Sequence, residues 1–300
     1  MELLDYKSLG AAIKSVYVES DKYQLSKDVP TFELNGKYVG DFFNFTMFEP
    51  DGENAPIFYH IFSPYDVISG KSAQQAAVFR AGEMIMSADF TPYMQQRTGV
   101  MSALVLVALG MNALDSKKVI YLGTGAIARC DLEALKAHFP EIREVSYVNK
   151  SGKAADFGVT AKRLGLAVRE GSLVELGDYD VIICHTNSKE PVLTAAMRDS
   201  IKAGAVILVF SSEDATEVAS EYFDSSEANI LVDWDQTLDE APELKAAVER
   251  GLAKKDEIVR LRELFVEGVG SKRTKKYTIY RTHGTPMQNL AAMKLLMQRL

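Results

Sequence analysis

The sequence predicts an α/β protein: a doubly wound parallel sheet in the middle of the chain, with a second α+β portion built from the N-terminal part and the C-terminal helix. Three observations carry this. Short apolar runs alternate with helix-patterned segments from Lys117 to Asp233. The runs are continuously apolar, as strands are when both faces of a sheet are covered. A glycine-rich turn directly follows the first of them.

The elements read in order. Residues 5–19 have helical spacing, so that Leu9, Ala12, Ile13, Val16 and Val18 can share a face. Segments 30–48 and 56–62 are rich in Phe, Tyr, Val and Thr and read as strands. Phe42, Phe43, Phe45 and Phe48 are expected to form an aromatic core there. EPDGENAP, 49–56, is a turn-rich loop between them. Residues 72–79 read as a short helix and 83–88 as a strand. Behind Asp89 as a cap, an amphipathic helix is expected from Thr91 to about Leu114.

From Lys117 the alternation begins. KKVIYLG, EVSYVN, DYDVIICHT, AVILVF and ANILVD read as strands; AIARCDLEALKAHF, KAADFGVTAKRLG and PVLTAAMRDSIKAG lie between them as helices. Polar helices follow Trp234 to about Gly268, 268–276 reads as a loop, YTIY as a strand, and 286–300 as an apolar-faced helix. The expected domains are 1–112 plus 277–300, and 113–276.

Composition narrows the function. Three hundred residues accommodate two domains, and 47% hydrophobic with 25% charged residues is ordinary globular usage. A net charge of -7 with interspersed signs lacks the basic stripe of a nucleic-acid binder and disfavours anionic lipid. The two cysteines, Cys130 and Cys184, fit neither a disulfide framework nor a metal-ligand spacing. No signal peptide is visible at the N-terminus, and the apolar stretch Val100 to Leu109 is too short to span a bilayer. The expectation is a cytoplasmic protein with no metal and no nucleic-acid or membrane partner.

Gly123, Gly125 and Ala128 stand in the G-x-G-x-x-A spacing of a Rossmann dinucleotide-binding turn. The first glycine permits the tight turn, the second lets backbone approach a pyrophosphate, and the alanine keeps helix close to sheet. The amides that open the helix, around Thr124, Ala126 and Ile127, would then face the phosphates. A glycine-bearing turn in another α/β protein reads the same; the flanking strand and helix favour the dinucleotide. Where the second strand ends, the acid expected for the ribose of NAD(H) is missing, and Asn149, Lys150 and Ser151 stand there. That favours the 2′-phosphate of NADP(H), with NAD(H) possible and Lys150 otherwise a solvated loop lysine. Thr186 and Asn187 follow a further strand and are candidates to line the cleft, or else a helix-capping loop.

These residues resemble the ornithine cyclodeaminase/mu-crystallin family. The resemblance runs through Arg97-Thr98-Gly99, GTGAIA, YVNKS, CHTNSKEPVL, VDWDQTLDEA and YRTHGTPMQNLAA. It implies a Rossmann domain beside a substrate-binding and dimerisation domain, and hence a homodimer. It implies nicotinamide-linked chemistry on a small α-amino or α-imino acid. Carried over residue by residue, Arg97 would clamp the substrate carboxylate, Thr98 would lie near the cofactor phosphates, and Thr282, His283 and Gly284 would close over the nicotinamide side. Arg97 could instead be an arginine snorkelling from a helix surface.

Two departures shape the expectation. The family's substrate-binding lysine has no counterpart on IFYHIF, where His60 is the titratable candidate, or else a plain strand histidine. The catalytic Asp of the cyclodeaminases falls on Ser211, with Asp214 nearby. Imine reduction or amino acid dehydrogenation is therefore favoured, with His60, Ser211 or Asp214 as proton relays. Ornithine or lysine cyclodeamination with tightly held NAD, and a non-catalytic binding protein, are the alternatives.

Overall fold

The computed structural model describes residues 3–28, 31–34, 37–50, 56–66, 71–72, 74–114, 116–150, 152, 154–212, 215–268 and 274–299, with the side chains of 28, 31–43 and 63–72 left out. The chain divides into two compact units, residues 1–97 with 286–300, and residues 98–285.

The first unit opens with α1 (Tyr6–Val18), capped by the Asp5 carboxylate, which accepts the Ser8 amide at 2.8 Å. Leu9, Ile13, Val16 and Tyr17 form its buried stripe. An antiparallel sheet follows: β1 (Gln24–Asp28), β2 (Thr31–Leu34), β3 (Lys37–Glu49), β4 (Ile57–Asp66), β5 (Lys71–Ser72), β6 (Gln75–Arg80) and β7 (Glu83–Asp89). Its order is β1-β3-β4-β6-β7, with β2 on β3 and β5 on β4.

The helix expected over 72–79 is corrected to the strand β6. Ala81 and Gly82 both take positive φ, 51° and 84°, and make a two-residue turn into β7. Pairing with β4 on one side and β7 on the other outweighs the helical propensity of Gln and Ala. The aromatic core is also corrected. Phe48 stacks on Phe58 with ring centroids 4.6 Å apart, yet Phe58 is 47% exposed. Strand side chains alternate between faces, and Met47, Tyr59, Ile61 and Val78 are the ones buried. The side chains of Phe42 and Phe43 lie outside the described residues.

The helix α2 (Thr91–Ala108) carries the chain from one unit to the next. It stops at Ala108, short of Leu114, and Gly110 follows with φ 77°, as helix-terminating glycines do.

The second unit is strand–helix repeat. It comprises β8 (Val119–Leu122), α3 (Ala126–His138), β9 (Glu144–Val148), α4 (Ala155–Arg163), β10 (Ala167–Glu170), β11 (Val181–Cys184), β12 (Val206–Phe210), β13 (Ala228–Val232), α5 (Thr237–Glu240), α6 (Pro242–Glu249), β14 (Val259–Arg260), α7 (Leu261–Glu267) and β15 (Tyr277–Thr282). The strands pair in parallel in the order β10-β9-β8-β11-β12-β15-β13-β14. β8, β11 and β12 are buried at every position, so both faces are covered. The chain winds outward from β8 to β10, then returns to place β11 on the other side of β8. That reversal makes a crevice at the carboxyl ends of β8 and β11.

Two expectations fail here for tertiary reasons. The stretch 191–204 holds only a 3₁₀ turn, Ala195–Ser200, instead of a helix. The Val192 and Leu193 amides donate to the Glu217 carbonyl, and Leu193 bridges Val218, which holds this backbone extended. The strand β15 belongs to the parallel sheet between β12 and β13, so the unit boundary falls after residue 285 and not at 276. The other boundary falls after 97, not 112. A Cβ on Gly99 would stand 2.5 Å from the Asp131 amide nitrogen, which is how closely α2 lies on α3 within this unit.

The last helix, α8 (Pro286–Met297), returns to the first unit. Gln288 donates to the Tyr17 hydroxyl at 3.2 Å, and Lys294 to Glu49 at 2.8 Å. Among the described residues no helix is long and apolar enough to cross a membrane.

Candidate functional site

The two glycines of the turn after β8 have different roles. Gly123 has φ +97°, and a Cβ on it would lie 2.4 Å from the His185 carbonyl oxygen. The fold itself demands that glycine. Gly125 has φ -70° and ψ -170°, which any residue adopts, and a Cβ on it would meet nothing within 4 Å. The protein's own packing therefore gives no reason for a glycine at 125, whereas a ligand approaching the backbone there would.

Gly125 is the N-cap of α3, and no side chain caps that helix. Ala126 and Ile127 form its first turn, whose amides point out of the N-terminus with the helix dipole behind them. In front lies a cleft of ≈ 520 Å³ lined by Gly123, Thr124, Gly125, Arg129, Asn149, Lys150, Asp156, His185 and Thr186, among others. The Asn149 side-chain amide donates to the Thr124 hydroxyl and ties the end of β9 to the glycine turn. Ser151 lies outside the described residues.

Beyond β11 the loop is held from below. The amides of Thr186 and Asn187 and the Thr186 hydroxyl all donate to the Glu217 carboxylate. Asn187 takes φ 53°, and its side-chain oxygen accepts from the Ser212 amide at 3.1 Å. Ser211 is buried, and its hydroxyl has no partner among the described residues. Arg281 Nη1 donates to the Ser211 carbonyl at 3.1 Å, and its Nε to Glu243 at 2.6 Å, the two charged side chains being fully buried. Asp214 lies outside the described residues.

At the end of β15, His283 donates through Nε2 to Glu240, and the Gly284 amide donates to the Thr282 hydroxyl at 3.0 Å. The Thr282 hydroxyl in turn donates to Asp233. Thr98, half-buried on α2, is not among the cleft-lining residues. Buried polar atoms without partners follow four neighbouring strands: His185 Nδ1, Ser211 Oγ, Trp234 Nε1 and His283 Nδ1. Such atoms are rare in native interiors, and this is the edge at which parallel sheets take ligands.

In the first unit, Arg97 is buried at 6% exposure. Its Nε donates to Asn289 and its Nη1 to Gln288, both at 2.8 Å. His60 stands on the same pleat face as Phe58 and Phe62, its Nε2 directed at the Asn44 side-chain oxygen. Burial pushes its pKa below the ordinary value of 6.5.

A sequence model of the ornithine cyclodeaminase/mu-crystallin family matches residues 79–300. The chain belongs to this family. Solved structures of similar fold include the Thermococcus litoralis Δ1-pyrroline-2-carboxylate reductase in complex with NADH and L-proline, at 21% identity and TM-score 0.80, covering 99% of this chain and 94% of that one. The iminosuccinate reductase of Paracoccus denitrificans in complex with NAD+ has 18% identity and TM-score 0.81, over 99% and 92%. An archaeal alanine dehydrogenase dimer with bound NAD has 19% identity and TM-score 0.78, over 99% and 92%. At such identities the likeness is one of fold. No curated protein matches the chain in sequence.

Sequence reasoning missed four residues that shape the site of this family member. Asp131 had a signal: an acid on the buried stripe of α3, among Ala128, Leu132 and Leu135. Arg129 stood one position past the glycine motif. Asp233 lay inside a block already read as family-like. Glu217 had no local signal, because only the folded chain brings it beneath the loop after β11.

Proposed function

We propose that this protein is an NAD(P)H-dependent oxidoreductase that acts on the C–N bond of a small α-imino or α-amino acid, with NADP(H) preferred. The observation that carries the reading is the open space at Gly125, at the uncapped start of α3 and the mouth of the cleft. The residues present fit a dinucleotide: amides for the diphosphate, and Asn149 and Lys150 in place of a ribose-binding acid. Three proteins of similar fold, a Δ1-pyrroline-2-carboxylate reductase with NADH, an iminosuccinate reductase with NAD+ and an alanine dehydrogenase with NAD, support the reaction class.

When bound, the nicotinamide supplies or takes the hydride. The chain's own residues bind, orient and handle protons. Arg97 holds the substrate carboxylate, its buried guanidinium pre-positioned by Asn289 and Gln288. Ser211 or His60 passes the proton that the imine nitrogen needs. Thr98, Thr186, Asn187, His283 and Gly284 shape the cofactor's surroundings, and the protein works as a homodimer. The test is NADPH oxidation with a panel of cyclic and linear α-imino acids. Consumption of NADPH supports the proposal. Tight NADPH binding with no turnover of any imino or amino acid would defeat the enzyme, and ammonia release without net absorbance change would point to cyclodeamination.

A further inference from the structure

We infer that Arg129 is a second cation for the 2′-phosphate of NADP(H), and that Asp156 is the partner it gives up to take it. The inference rests on the reading of the cleft as a dinucleotide site.

Arg129, Lys150 and Asp156 all line that cleft, together with Asn149 at the end of β9. Arg129 Nη1 lies 3.5 Å from Asp156 Oδ2, with the Asp156 side chain 79% exposed and that of Arg129 33% exposed. A pair this long and exposed is weak and easily exchanged. It is also not needed to fasten α3 to α4, because Arg163 and Glu133 already pair across the same two helices.

The position of Arg129 is electrostatically awkward without an anion. It sits at the end of the first turn of α3, where the helix dipole is positive and disfavours a cation. The diphosphate assigned to the α3 amides relieves that, and the guanidinium, directed at Asp156 on α4, is left to meet the 2′-phosphate beside Asn149 and Lys150. A phosphomonoester offers several acceptor oxygens and close to two negative charges, which a guanidinium meets with two parallel hydrogen bonds. Asp156 alone offers one charge on an exposed side chain. Lys150, exposed at the tip of the same cleft, completes a two-cation clamp. The 2′-hydroxyl of NADH lacks the charge that would engage either.

The test measures dissociation constants of NADPH, NADH and 2′,5′-ADP by calorimetry at fixed ionic strength, with thermal unfolding as a check of folding. The proteins are wild type, Arg129→Ala, Arg129→Lys and Asp156→Asn. Arg129→Ala should weaken NADPH and 2′,5′-ADP about tenfold or more and NADH by less than about twofold; Arg129→Lys should recover part of the loss. Asp156→Asn should leave NADPH binding unchanged or tighter. Equal losses for both dinucleotides, no loss for NADPH, or a wild type that prefers NADH would overturn the assignment while leaving the dinucleotide site standing. Weaker NADPH binding in Asp156→Asn would overturn the exchange. A wild type that binds neither dinucleotide would sink the reading of the cleft itself, and this inference with it.

Discussion

The carboxylate of Asp131 accepts the Nε2–H of His185 at 3.0 Å, with both side chains buried. The same carboxylate accepts the hydroxyls of Ser102 and of Tyr121, the latter at 2.7 Å. One acid on α3 thus gathers α2, β8 and the loop after β11 behind the glycine turn. Burial, with Asp131 alongside, pushes the Tyr121 phenol well above its ordinary range, so it stays a donor. Asp131→Ala leaves three buried donors unmet, each costing ~1–3 kcal/mol. Urea unfolding should show a loss of about 3 kcal/mol or more. A loss under ~1 kcal/mol would mean the three donors find other acceptors.

The two glycines of the turn should separate stability from binding. Gly123→Ala forces a Cβ against the His185 carbonyl at positive φ and should cost about 2 kcal/mol or more in stability. Gly125→Val places its side chain in open space and should change stability by less than about 1 kcal/mol. It should nevertheless weaken NADPH at least about tenfold, because the branch occupies the approach to the α3 amides. Undiminished NADPH affinity in Gly125→Val would place the diphosphate elsewhere.

Arg97 should separate catalysis from cofactor binding. Arg97→Ala removes the proposed carboxylate clamp and should lower kcat/KM about 10²-fold or more, with the NADPH dissociation constant unchanged. Because it also strips buried donors from Asn289 and Gln288, some loss of melting temperature should accompany it. Arg97→Lys should fold normally yet fail to restore full activity, since an ammonium lacks the bidentate fork. Normal turnover in either variant would remove Arg97 from the mechanism.

Glu217 should leave a mark on stability against pH. Burial raises its pKa above the ordinary 4.5, only partly offset by the Thr186 hydroxyl, the nearby His185 and the loop amides. The folded protein then binds this proton more readily than the unfolded chain does. The contribution is full below the unfolded value of 4.5 and is lost as pH rises through the raised folded value. Glu217→Gln keeps an acceptor oxygen for the loop and removes the titration. Its stability should fall less than wild type's as pH increases across that window in urea titrations. Identical slopes for the two proteins would show that Glu217 titrates as it does in the unfolded chain.

The middle of the chain was legible because its signals are local. A run such as VIYL followed by Gly-Thr-Gly and an amphipathic helix states a strand, a turn and a helix within one stretch. The absence of an acid at Asn149, on which the proposed preference for NADP(H) rests, was readable in the same way. The errors came where a neighbour outvoted propensity. Residues 75–80 would favour a helix alone, yet two flanking strands and the Ala81-Gly82 turn make them β6. Residues 191–204 lost their helix to a bridge with Val218.

By itself, then, the amino-acid order determined the α/β class, the glycine turn and the family's block pattern, because each depends on residues a few positions apart. Tertiary structure alone decided that β15 enters the parallel sheet, that Glu217 underpins the loop after β11, and that His185 meets Asp131 across 54 positions. Those pairings follow from burial: polar groups taken out of water must find partners, and which partners are within reach is settled only when the sheet has closed around them.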